Sequence, residues 1–171
     1  MACSIVTTVA SASANSYSSI ADATTYHDTH LYASAWENAS DDERCRALQM
    51  ATRLLDQWFD WAGSPVGSTQ ALGWPRVGAV GPNGYELASD AIPVLIARAT
   101  AELGRQLITA DRTADSDLET QGLSQLTAGS VSMAFRSTPA KPIPDAVLVM
   151  VSPLGTLRSR SGSAGVTVRR A

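Results

Sequence analysis

Lysine is almost missing from this chain of 171 residues: twelve of its thirteen basic residues are arginine, and the one lysine is Lys141. No glycine-rich loop runs into Lys-Ser or Lys-Thr, so the phosphate cradle of a lysine-dependent NTPase is excluded. Cysteine is nearly as scarce. Cys3 and Cys45 match neither a disulfide framework nor a zinc site, and both read as bystanders. Histidine occurs only at His27 and His30. Their spacing could bring two nitrogens near one metal, but no third ligand is placed, so two ordinary helix histidines are expected and no metal. Two histidines within one helical turn also leave no Ser-His-Asp or Cys-His arrangement to argue, and no catalysis and no cofactor are expected. No apolar run approaches the roughly 20 residues that span a bilayer, and Met-Ala-Cys-Ser lacks the basic start of a secretory signal. A protein that remains in the cytoplasm where it is made, with no membrane partner, is the expectation.

What is present suits one soluble domain. A hydrophobic share of 44 % against 17 % charged residues is enough to bury a core at this length. The net charge of -3 hides an asymmetry: residues 152–171 carry Arg158, Arg160, Arg169 and Arg170 and no acid, whereas residues 1–151 hold nine bases against sixteen acids, a charge of -7. The resulting division is a flexible leader over 1–15, a helical domain over 16–155, and a basic, Ser/Gly-rich arm over 156–171 that cannot offset its own ordering entropy.

Helical spacing of Ile20, Ala23 and Tyr26 predicts a first helix capped by Ser18 or Ser19. The capping box Ser40-Asp41-Asp42-Glu43 predicts a second, running to Gly63 with Leu48, Ala51, Leu55, Trp58 and Ala62 on its apolar face. Leu54, Phe59 and Trp61 lie off that stripe and are read as a subunit interface, with a fully internal helix as the competing reading. Turn residues from Gly63 to Gly84 predict a loop or short hairpin around Gly81-Pro82-Asn83-Gly84. A third helix is expected from Ser89 or Asp90 to about Thr109, with Pro93 in its first turn. An acidic linker over Asp111–Gln121, a half-buried strand over Ser130–Arg136 and a short last helix from Pro144 complete the chain. The fold class expected is mainly α: a small helical bundle with a short β-strand or hairpin element and an extended C-terminal arm.

Several segments form a more specific pattern. Ala14-Asn15-Ser16-Tyr17, Ala21-Asp22-Ala23, Leu55-Asp56 and, above all, Gln70-Ala71-Leu72-Gly73-Trp74-Pro75-Arg76 resemble, in order and spacing, a phage protein family labelled DnaT-like single-stranded-DNA-binding. Its members sit among head-completion genes. Gln70, Trp74, Pro75 and Arg76 are the signature loop, in which Trp74 is expected to plug the core and Arg76 to pair with a carboxylate. The resemblance implies a head-tail connector, or adaptor, located in the virion neck. As such it would form a homo-oligomeric, dodecameric ring docked on the portal protein, with a tail-side neck, stopper or terminator protein as second partner and genomic double-stranded DNA passing through the lumen. Leu154, Leu157, Arg158, Arg160, Arg169 and Arg170 would then bind the portal.

The competing reading is a replication accessory protein that binds single-stranded DNA. Such a site interleaves aromatics with positive charge. In the linear sequence Trp58 and Trp61 lie beside Asp56 and Asp60, while the clustered arginines lie in an arm without aromatics, so the adaptor is favoured and DNA binding is expected to be weak. A small-molecule enzyme would need convergent titratable groups that the sequence does not supply.

Overall fold

In the computed structural model, which describes residues 2–114, 125–128, 131–134 and 141–158, helices dominate, as the apolar periodicity predicts. They are α1 (Ile20–His27), α2 (Ser34–Glu37), α3 (Asp41–Trp58), α4 (Val94–Thr109) and α5 (Asp145–Val151), the last followed by a 3-10 turn over Ser152–Leu154. Strands β1 (Phe59–Trp61), β2 (Ser64–Pro65), β3 (Arg76–Val77), β4 (Gln125–Ala128), β5 (Val131–Ala134) and β6 (Gly155–Leu157) form three antiparallel pairs: β1 with β6, β2 with β3, and β4 with β5.

The caps act as read from sequence. The Ser19 hydroxyl accepts the Asp22 N–H, and Ser40 and Glu43 close a reciprocal capping box at the start of α3. Helices α3 and α4 pack closely, with Gly104 facing Ala47 and Leu48: a Cβ there would lie 3.3 Å from the Leu48 side chain. The main core joins Leu55, Ile96, Leu103, Val147, Val151 and Leu154 to Tyr17 and Trp74. A smaller core gathers Ala23, Trp36, Leu48 and Ala101, with Ile5, Ile20, Tyr26 and Ile108 packed against it.

Two boundaries differ from expectation. Helix α4 begins at Val94, because Pro93 holds ψ at 136° and serves as the flanking residue; residues before a proline avoid the helical region. Helix α3 stops at Trp58 instead of reaching Gly63. Phe59 turns extended, at φ -117° and ψ 138°, and Phe59, Asp60 and Trp61 pair with Leu157, Thr156 and Gly155. This explains why Phe59 and Trp61 fall off the helical stripe: two apart on a strand, they share a face and stack with ring centroids 5.1 Å apart. Leu54 and Phe59 are 4 % and 2 % exposed within the single chain, so they offer almost no surface to the subunit interface read from the sequence. Trp61 is half-buried and donates its indole N–H to Asp56 at 2.9 Å.

The N-terminal segment also departs from the reading of two bystander cysteines. Cys3 and Cys45 form a disulfide, with Cα atoms 5.9 Å apart. Sequence spacing could not show it, because what brings the two together is the path of residues 2–15 back along α3. The turn at Gly81–Gly84 forms as expected, bracketed by a bridge between Val80 and Glu86, with Gly84 at φ +81°. Strand β5 falls within the expected strand; Ser130, Phe135 and Arg136 lie outside the described residues, as do positions 115–121 of the acidic linker.

Candidate nucleic-acid interface

The signature loop is a structural knot. Trp74 is buried, and the Trp74-Pro75 peptide is cis. Asp56 gathers the knot: one carboxylate oxygen accepts the Tyr17 O–H at 2.5 Å and the Trp61 indole N–H at 2.9 Å, and the other accepts the Gly73 N–H at 3.0 Å. The Tyr17 oxygen in turn accepts the Trp74 N–H at 3.2 Å. Burial, followed by the Asp56 charge, pushes the Tyr17 phenol far above its ordinary range, so it stays a neutral donor. Gln70 donates to the Leu72 and Pro75 carbonyls. Arg76 does not pair with a carboxylate as expected; it donates to the carbonyls of Ala62, Gly73 and Gly63 at 2.7, 3.0 and 2.7 Å. These polar groups hold backbone in place and leave little to offer a ligand.

The residues assigned to portal docking do not act as one group. Leu154 is fully buried in the main core, and Leu157 is paired in β6. Arg158 donates to Asp60 at 2.7 Å, on the protein's own β1. Arg160, Arg169 and Arg170 lie outside the described residues.

A different face combines aromatic rings with guanidinium groups. Its base is the end of α1 and the loop to α2, where Tyr26, His30 and Tyr32 follow one another with ring centroids 6.5 and 6.4 Å apart. Tyr32 is 72 % exposed and Leu31 beside it 86 %. Exposed as the ring is, its backbone is anchored: the Tyr32 N–H donates to His30 Nδ1 at 3.1 Å, and Arg105 donates to the Tyr32 carbonyl at 3.1 Å. Glu102, buried on α4, binds Arg105 and Gln106 and lies 3.5 Å from His30 Nε2. Burial pushes its carboxyl up, but the hydrogen bonds from Arg105 and Gln106 and the nearby charges outweigh this and hold it below the ordinary range.

Alongside runs a cleft of about 590 Å³ between α1 and the start of α4, lined by Thr25, Tyr26, Thr29, Ile92 and Arg98 among others. Arg98 is exposed and its guanidinium forms no hydrogen bond to a described residue. Asp22 also lines the cleft and accepts the Ser19 hydroxyl at 2.6 Å. Burial, then Glu102, raises the Tyr26 phenol against the pull of Arg105 and Arg98, so it too remains neutral.

Sequence reasoning missed this face because Tyr26 was read only for its helical spacing and only Trp58 and Trp61 were weighed as stacking partners. The usable signal was four aromatic or imidazole rings within seven residues, together with Arg98 and Arg105 seven apart on one helix, a spacing that returns to the same face. His27 behaves as an ordinary helix histidine, its Nε2 3.1 Å from the Ala101 carbonyl. Among the described residues no group of three His, Cys, Asp or Glu side chains could hold a metal, and no helix is long and apolar enough to cross a membrane.

The fold is helix-dominated, and one face carries the exposed Tyr32 ring, the half-buried Tyr26 and His30 rings, and Arg98, whose guanidinium has no hydrogen bond among the described residues. The chain belongs to the family described as "Putative DnaT-like ssDNA binding protein", which matches residues 1–171. No curated protein and no solved structure matches it. The family match overturns the expectation of a head-tail adaptor: a dodecameric ring on a portal, a tail-side partner and duplex DNA in a lumen do not stand against a single-stranded-DNA-binding assignment over the whole chain.

Proposed function

We propose that this protein is a non-catalytic, single-stranded-DNA-binding accessory of replication, and that it binds through the Tyr26–Tyr32 face. The observation that carries the reading is the exposed Tyr32 ring on an anchored backbone, on the same face as Tyr26 and as Arg98, which has no hydrogen bond among the described residues. Bases of a single strand are free to stack on such rings, whereas those of a duplex are already stacked on one another; phosphates are drawn to guanidinium groups. Glu102 does not cancel the attraction, since Arg105 and His30 already face its carboxylate.

The test is anisotropy of a labelled oligothymidylate titrated with wild type and with Tyr32→Ala/Arg98→Ala. The expected result is a preference of at least tenfold for the single strand over duplex, lost in the double variant while circular dichroism is unchanged. Equal affinity of wild type and variant would remove the face from DNA binding, and a preference for duplex would overturn the assignment.

A further inference from the structure

We propose that the Cys3–Cys45 disulfide is a redox latch: a dithiol reductant opens it, frees residues 2–15 from α3, and loosens the small core beneath Tyr26. Its reach to the strand-binding face rests on the function proposed above; the latch itself does not.

The disulfide is placed to act this way. Cys45 is buried within α3, whereas Cys3 is only half-buried, so a reductant approaches from the Cys3 side of the bond. A thiolate of the reductant bonds to Cys3 Sγ and the sulfur–sulfur bond breaks, with Cys45 leaving as a thiolate that takes up a proton. The reductant's second thiolate then displaces Cys3. Two electrons have passed to the chain, which now carries two thiols, and the reductant has become a disulfide.

Little else holds the segment. Its hydrogen bonds to the described body are the Cys3 N–H to Asp42 at 2.8 Å, the Gln49 amide to the Ser4 carbonyl at 2.8 Å, and the Ala71 N–H to the Ser11 carbonyl at 3.1 Å. Asn15 folds the segment on itself: its side chain accepts the Val6 N–H at 2.8 Å, and its own N–H donates to the Val6 carbonyl at 2.9 Å. Ile5 is the one apolar side chain of the segment in the small core, where it shares Ala23, Trp36, Leu48 and Ala101 with Tyr26. Cutting the covalent tie leaves three hydrogen bonds and one isoleucine against the entropy of a freed segment. Helices α3 and α4 meanwhile keep their packing in the main core and their own backbone hydrogen bonds. A disulfide with one half-buried cysteine can respond to the redox state of its compartment.

Hydrogen exchange of the full chain, first equilibrated with glutathione disulfide and then with dithiothreitol, tests the latch. The expected result is at least a tenfold loss of protection in residues 2–15 on reduction, recovery on reoxidation, and no change in α4. Cys3→Ser should match the reduced form in either buffer. Unchanged exchange in residues 2–15, loss of protection in α4 along with them, or alkylation of both cysteines after equilibration with glutathione disulfide would each overturn it. Oligothymidylate titrations separate the two ideas: weakening of threefold or more on reduction supports the reach to Tyr26, and equal affinity with a released segment overturns that reach. Absence of affinity in both forms overturns the strand-binding reading, and exchange alone then decides the latch.

Discussion

The knot around Asp56 and the face around Tyr32 use the same residue types to opposite ends. In the knot, a carboxylate, a tyrosine, two tryptophans and an arginine are turned inward, with Asp56 accepting three hydrogen bonds and Arg76 spread over three carbonyls. At the face, Tyr32 and Arg98 are left outward while Tyr26 rests on the small core, and Glu102 is buried and already paired with Arg105. The difference teaches where to look for function: the most recognisable stretch of sequence builds the scaffold, and the chemistry available to a ligand lies in residues that form no motif.

Trp74→Ala should be the sharpest break between the two regions. It empties a fully buried site and should cost about 3–5 kcal/mol of stability in urea denaturation, while the DNA affinity of the molecules that remain folded stays as in wild type. A fall in affinity without loss of stability would mean that the knot, too, touches the strand.

Tyr32→Ala should do the reverse. Loss of one stacked base is worth about 1–3 kcal/mol of binding, and an exposed ring should change folding stability by less than about 0.5 kcal/mol. Arg98→Ala should weaken binding and reduce the slope of log affinity against log salt by about 0.7, the expectation for one phosphate contact on a single strand. An unchanged slope would show that Arg98 points away from the backbone of the bound strand.

The smallest effect concerns pH. Burial lowers the pKa of His27 from its ordinary value of 6.5, so the unfolded chain takes up this proton first. Stability should therefore fall as pH drops below about 6.5 towards the lowered folded value. His27→Gln should flatten this part of a thermal-stability profile and leave the profile above pH 7 unchanged.

The helices were legible because each rests on local signals: the Ser40 box, the Ser19 cap and apolar residues at helical spacing need only neighbours in sequence. The errors came where partners are remote. Phe59 sits next to a strong helix, and only pairing with Leu157 makes it a strand; nothing near it in sequence announces this. Arg76 was expected to find a carboxylate, but backbone carbonyls of the β1–β2 turn reach it first. The Cys3–Cys45 bond depends on the path of the whole N-terminal segment, and the Tyr32 face depends on a loop meeting a helix about seventy residues later. The charge count is silent on placement for a related reason: a total of -7 over residues 1–151 says nothing of an arginine on one surface that forms no hydrogen bond to a described residue.

The register of β1 with β6 also decides how the molecule bears load. Helix α3, about 27 Å long, is gripped near one end by the bond to Cys45 and at the other by the strand that continues it. Tension drawn between Cys3 and Arg158 enters through a covalent link but leaves through the Arg158 N–H on the Trp58 carbonyl and then through Phe59 and Leu157, which stand directly opposite each other. Pull at that point strains one rung at a time instead of sharing the load along the seam, so β6 peels from its C-terminal side like a zip. Under traction the carboxyl end yields first, the buried Leu154 acts as the stop, and the oxidised amino end holds.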